Sequence, residues 1–171
     1  MLKEEILKYL NLLNDKLKER DVKGEISLYG GVVMCLVYDA RPSTKDVDAV
    51  FHPANIIRIA AREIADQFDL ADDWLNDSVK GFIVDHTKKV YLNLSNLTIM
   101  VADAEYMLAM KSLAARVDTI DKKDIEFLIK ELNITDVNEV ITIVEKYYPH
   151  RLIKPATQFF LEELFDEIQN S

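Results

Sequence analysis

A chain of 171 residues with 49% hydrophobic and 30% charged side chains suffices for one domain, or for a small core with an appended helical part, and is too apolar for intrinsic disorder. Four glycines and four prolines argue against a loop-rich or all-β fold. The net charge of −9 is uneven, zero over residues 1–60, −4 over 61–120 and −5 over 121–171; this argues against bulk nucleic-acid binding, which needs clustered Lys and Arg, and leaves the neutral N-terminal third as the place for phosphate.

The lone Cys35 cannot form an internal disulfide, and its neighbours Val33, Met34, Leu36 and Val37 predict a buried thiol. No apolar run approaches the roughly 20 residues that span a bilayer. The N-terminus, Met1-Leu2-Lys3-Glu4-Glu5-Ile6, lacks a signal-peptide core, so a cytoplasmic protein without membrane contact is expected.

In chain order, Leu2, Ile6, Leu10, Leu13 and Leu17 recur at three- and four-residue spacing and predict an amphipathic helix over 2–20, stopped near Lys23-Gly24. Ile26–Tyr29 reads as a short strand leading into Gly30-Gly31. Val32–Tyr38 reads as a short buried helix, Arg41-Pro42-Ser43 as a loop, and the segment that follows, with Val47, Ala49, Val50 and Phe51, as a strand that carries both Asp46 and Asp48. Pro53 suits a first helical turn, with a helix over 54–68 built on Ile56, Ile57, Ala60, Ile64 and Phe68. Residues 72–77 are polar punctuation around Trp74. Phe82–Val84, Val90–Leu94 and Leu97–Val101 are strand candidates, the last two joined by a turn at Ser95-Asn96. From Asp103, a good N-cap, the period is helical, with further helices near 121–132, 136–147 and 156–168. The expected fold is therefore α+β: one domain with a mixed core over roughly 22–102 and a helical C-terminal part over 103–171.

Side chains two apart on a strand point to one face, so Asp46 and Asp48 predict two carboxylates projecting together. Two nearby anions repel unless a cation sits between them, and Mg²⁺ or Mn²⁺ prefers carboxylate oxygen. Gly30-Gly31 at a strand-to-helix junction suits close approach of a phosphate to the backbone. His52 is placed to face the same site, Trp74 is either a core anchor or a base-stacking platform, and His86 and His150 are expected at the surface. No spacing among the three histidines suggests zinc.

The joint pattern, Tyr29-Gly30-Gly31 followed by Arg41-x-Ser43-Thr44-Lys45-Asp46-Val47-Asp48, resembles the nucleotidyltransferase superfamily, and most of all its AbiEii-type branch of abortive-infection and type IV toxin proteins. Leu108–Arg116 with Lys123-Asp124-Ile125-Glu126-Phe127-Leu128 is similar to that branch's Lys-helix and Lys-Asp pair. The resemblance implies that Asp46 and Asp48 hold the metal on a nucleoside triphosphate. Gly30, Gly31, Ser43, Thr44 and Lys45 would cradle phosphate, and Lys111 would contact the triphosphate. Asp124 would orient Lys111 or the incoming hydroxyl, with Arg116 paired to Asp121 or Asp124. The acceptor implied is a hydroxyl on a tRNA end, a protein or a small molecule, with a cognate partner protein in a toxin–antitoxin or phage-defence system. Catalytic members carry a third carboxylate on a later strand, where this chain offers Asn93, with Asp85 as the alternative. That departure motivates a second reading, a nucleotidyltransferase-like binding or regulatory module whose acidic helical part docks a basic partner.

Overall fold

The computed structural model describes residues 1–114 and 119–170, so the expected pairing of Arg116 lies outside the described residues. The chain is α+β and divides into two compact units, residues 1–83 with 87–102, and residues 84–86 with 103–171.

The first unit is a five-stranded mixed sheet with helices. It runs α1 (Lys3–Glu19), β1 (Gly24–Tyr29), α2 (Gly31–Leu36), β2 (Val47–His52), α3 (Ala54–Phe68), β3 (Leu75–Asn76), a 3₁₀ turn (Ser78–Phe82), β4 (Lys88–Asn93) and β5 (Leu97–Ala102). The strand order is β3-β2-β1-β5-β4. β2 runs antiparallel and β5 parallel to the central β1, while the edges add β3 parallel to β2 and β4 antiparallel to β5.

The expected leucine stripe explains α1: Ile6, Leu10, Leu13 and Leu17 are fully buried. Leu2 lies outside the helix, 52% exposed, and its backbone bridges Ser43 instead. Along β2, Val47, Ala49 and Phe51 are buried and alternate with half-buried Asp48 and Val50. Leu17 of α1 and Ile57 of α3 meet over Gly24, where any side chain would crowd them. Each fully buried leucine or isoleucine in this layer contributes about 1.5–3 kcal/mol. Trp74 belongs to the same layer: it is 2% exposed, its Nε1–H donates to Ala61 O at 2.9 Å, and its ring meets Tyr9 edge-on. It is thus a core anchor, with no face left for a nucleobase.

Two local readings give way. Phe82–Val84 is not a strand. Residues 78–82 form the 3₁₀ turn, and the Val84 N–H, which a ladder would need, donates to the Tyr106 hydroxyl at 3.1 Å. The strand beside β2 is instead Leu75–Asn76, only two residues long and set inside the polar stretch.

The second unit holds α4 (Ala104–Ala114), α5 (Thr119–Glu131), α6 (Val137–Tyr147) and α7 (Pro155–Gln169). Asp103 caps α4, accepting the Tyr106 N–H at 2.9 Å, and Asp136 caps α6 by accepting from Asn138 N–H. Asn133, at φ 54°, ends α5 in the left-handed conformation that Asn tolerates. Residues 84–86 join this unit through an aromatic cluster. His86 stacks on Tyr106 with ring centres 3.8 Å apart, and the Tyr106 hydroxyl lies 3.0 Å from that of Tyr148. His86 is consequently half-buried rather than the surface residue expected. No helix among the described residues is long and apolar enough to cross a membrane.

Cys35 on α2 is 1% exposed, and burial pushes its thiol pKa up, against a smaller opposing pull from Arg41. The thiolate is the reactive species. Native protein is therefore expected to react with Ellman's reagent about a hundredfold more slowly than the guanidinium-unfolded chain. A fast stoichiometric reaction in buffer would contradict this packing.

Candidate active site

Tyr29, the last residue of β1, stands opposite Asp48 in the antiparallel ladder. The chain then turns at Gly30, with φ 66° and ψ −141°, a conformation that side chains disfavour strongly. A Cβ on Gly30 would lie 2.9 Å from Asp48 Oδ2, so the carboxylate rests on the glycine. Gly30 is needed twice, for its backbone conformation and for the room it leaves.

Gly31 is needed for a different neighbour. A Cβ there would lie 2.6 Å from Arg41 Cζ and 2.7 Å from Thr44 Oγ1. The Arg41 Nε–H donates to Gly31 O at 3.3 Å. The space over the glycine pair, read from the sequence as an open phosphate cradle, holds two side chains of opposite charge. Arg41 lies in the loop expected of it, and its place over Gly31 is what the sequence alone does not declare. The signal for it was its place at the start of the Arg-Pro-Ser-Thr-Lys-Asp-Val-Asp run.

The loop from Arg41 to Asp46 is fixed by backbone pairing. Thr44 N–H donates to Met1 O at 3.0 Å, and Thr44 O accepts from the Met1 nitrogen at 2.7 Å. Thr44 is buried, and its hydroxyl donates to Asp46 O at 3.2 Å. A hydroxyl has one proton to donate, so Thr44 shapes the loop and is not placed as a phosphate donor. Ser43 and Lys45 are exposed on the same loop.

β2 begins at Val47, so Asp46 occupies the bend before the strand and Asp48 alone of the pair is in the ladder. Both are half-buried. Strand alternation thus carries Asp48, and its side-chain face includes Val50 and His52; it does not by itself orient Asp46. His52 is four residues further on, about 13 Å along the strand, which removes it from the Asp48 end.

Asn93 is removed in the same way. It pairs with Thr98, Thr98 with Glu25, and Glu25 with His52. The row containing Asn93 therefore crosses β2 at His52, at the opposite end from Asp48. Its side-chain oxygen accepts the Thr98 hydroxyl at 3.1 Å. Asp85 is exposed and lies in the Val84–His86 segment of the second unit. On β3, Asn76 pairs with Asp48 in register, and its oxygen accepts from the Ser78 N–H at 3.1 Å. Asp77 is ion-paired to Arg58.

Among the described residues no three Asp, Glu, His or Cys side chains form a group able to hold a metal. Asp48, with half-buried Asp46 two residues before it, offers one or two carboxylates, which fits Mg²⁺ or Mn²⁺, because Mg²⁺ is commonly bound through one or two carboxylates with substrate phosphates and water completing its shell. That set does not fit a cation that requires a full protein cage.

In the second unit, Lys111 and Asp124 form a buried pair. Lys111 is 8% and Asp124 2% exposed, which excludes a snorkelling surface lysine. The ammonium lies 2.6 Å from Asp124 Oδ2 in an ion pair. It donates to Asp121 Oδ1 at 3.3 Å. Two carboxylates thus flank the one ammonium. Comparison with protein-family models, curated proteins and solved structures gives no match for this chain.

Proposed function

We propose that the first unit carries a metal-dependent nucleotidyltransferase centre, moving a nucleotidyl group from a nucleoside triphosphate to a hydroxyl acceptor on RNA, a protein or a small molecule. The observation that supports this reading is the Tyr29–Asp48 pairing, which sets an acidic side chain directly on the Gly30 turn with Arg41 over the adjoining Gly31. Acid, glycine turn and base at one sheet end provide a donor set for a cation and a positive partner for phosphate. Asp46 and Asp48 would hold Mg²⁺ or Mn²⁺, which when bound neutralises charge on the leaving pyrophosphate. The exposed Ser43 and Lys45 border the site and meet the triphosphate from the loop side. A cognate partner protein in a two-gene toxin–antitoxin or phage-defence setting belongs to the same reading, as does a cytoplasmic location.

The test is transfer of label from each α-labelled nucleoside triphosphate to total RNA and protein in the presence of Mg²⁺. Wild type is expected to label an acceptor, and the Asp46→Ala/Asp48→Ala protein is expected not to. Equal labelling by the two sinks the proposal. A second reading, a binding module without turnover, is favoured by one observation: no third carboxylate joins the pair among the described residues. It predicts calorimetric binding of a triphosphate with Mg²⁺ and no label on any acceptor.

A further inference from the structure

We infer that Arg41 reads the polyphosphate of the substrate, and that Gly31 is glycine in order to hold it there; this rests on the nucleotidyltransferase reading of the same site. Three observations converge. First, the guanidinium packs on the Gly31 Cα so closely that an alanine methyl would overlap its Cζ and crowd the Thr44 hydroxyl. Second, the Nε–H bond to Gly31 O, at 3.3 Å, pins the guanidinium plane to the turn that carries Asp48. Third, Arg41 is half-buried, so its charge is held against the protein rather than out in solvent.

The chemistry suits a phosphate chain. A guanidinium presents N–H donors in a rigid fork that matches phosphate oxygens two at a time. A lysine at the end of a free stem offers a point charge without that direction, and Lys45, exposed on the loop, is of that kind. The two glycines also fix the spacing of charge. Their Cα atoms are about 3.8 Å apart across one peptide, so the carboxylate on Gly30 and the guanidinium on Gly31 stand side by side. A metal on the acidic side and phosphate oxygens on the basic side complete an alternating pattern of charge. Side chains thus do the reading expected of the bare glycine backbone.

The experiment is calorimetric titration of the full chain with inorganic tripolyphosphate in Mg²⁺, repeated for Arg41→Gln, Arg41→Lys and Gly31→Ala. Arg41→Gln is expected to weaken binding about tenfold to a hundredfold, the range of a charge-assisted hydrogen bond. Arg41→Lys is expected to recover only part of the loss, since it restores charge and not the fork. Gly31→Ala keeps the arginine and displaces its flexible end; it is expected to weaken binding to a similar degree while melting near wild type. That variant covers the case in which Arg41→Gln fails to fold. If Arg41→Gln and Gly31→Ala both bind tripolyphosphate as wild type does, or wild type does not bind it, the inference is overturned. The parent reading is judged separately, because label transfer by wild type upholds it whichever way tripolyphosphate binding falls.

Discussion

Lys111→Met is expected to lower the unfolding free energy by about 3–5 kcal/mol, the range for breaking a buried ion pair from one side. The methionine replaces the lysine stem with little change of volume, so packing around α4 survives. What remains is the Asp124 carboxylate, 2% exposed, without the ammonium that lies 2.6 Å from it. Asp124→Ala is expected to cost less, because the ammonium keeps Asp121 at 3.3 Å, and the Asp121 side chain is 34% exposed to water. The double variant Lys111→Met/Asp124→Leu is expected to regain most of the loss, since a buried pair can be exchanged for apolar groups at little cost. Urea unfolding followed by far-ultraviolet circular dichroism measures all three. A Lys111→Met protein that melts with wild type would remove the structural account of this pair. If that same protein had also lost label transfer, Lys111 would belong to the substrate, as the family resemblance implies.

The sequence told most about the molecule where structure is set locally. The leucine stripe of α1, the apolar period of α3 and the Asp103 cap each act within a few residues, and each element forms where its own chemistry starts it. It told least where a partner far along the chain decides the outcome. Leu75–Asn76 looks like punctuation because its polar neighbours dominate composition, yet Val47 and Asp48 supply a strand for it to pair with. Phe82–Val84 looks like a strand, but the 3₁₀ turn over 78–82 and the Tyr106 hydroxyl, which takes the Val84 N–H, leave no ladder for it.

The same distinction governs the site. That Gly30 must be glycine follows from a turn after a strand, and is legible. That Asp48 and Arg41 occupy the space over the two glycines depends on the β1–β2 register and on a ten-residue return of the loop. Asn93 illustrates the cost of ignoring register. By sequence it sits on a strand beside the core and invites comparison with a third catalytic acid. By ladder position it belongs to the row of Glu25 and His52, about four strand residues from Asp48.

Asp48→Asn is expected to abolish label transfer by roughly a thousandfold or more, in a protein that still folds. The magnitude follows from the several kcal/mol that a bound cation supplies to a phosphoryl-type transition state, at about 1.36 kcal/mol per tenfold in rate. The substitution keeps shape and removes the charge that a hard cation needs. Gly30→Ala should reach the same low activity by a different route, and the two can be told apart. Its φ of 66° with ψ −141° costs an alanine about 1–3 kcal/mol, and its methyl meets Asp48 Oδ2 at 2.9 Å and must push the carboxylate aside. Gly30→Ala is therefore expected to lose stability together with activity, and raising Mn²⁺ or Mg²⁺ is expected to restore part of the rate, because the acid is displaced but still present. Asp48→Asn is expected to show no comparable rescue. Both variants are assayed by label transfer across a metal titration, with thermal melting in parallel. Undiminished transfer by Asp48→Asn would mean that the carboxylate on the glycine turn is a structural contact and that the cation, if the reaction uses one, is held elsewhere.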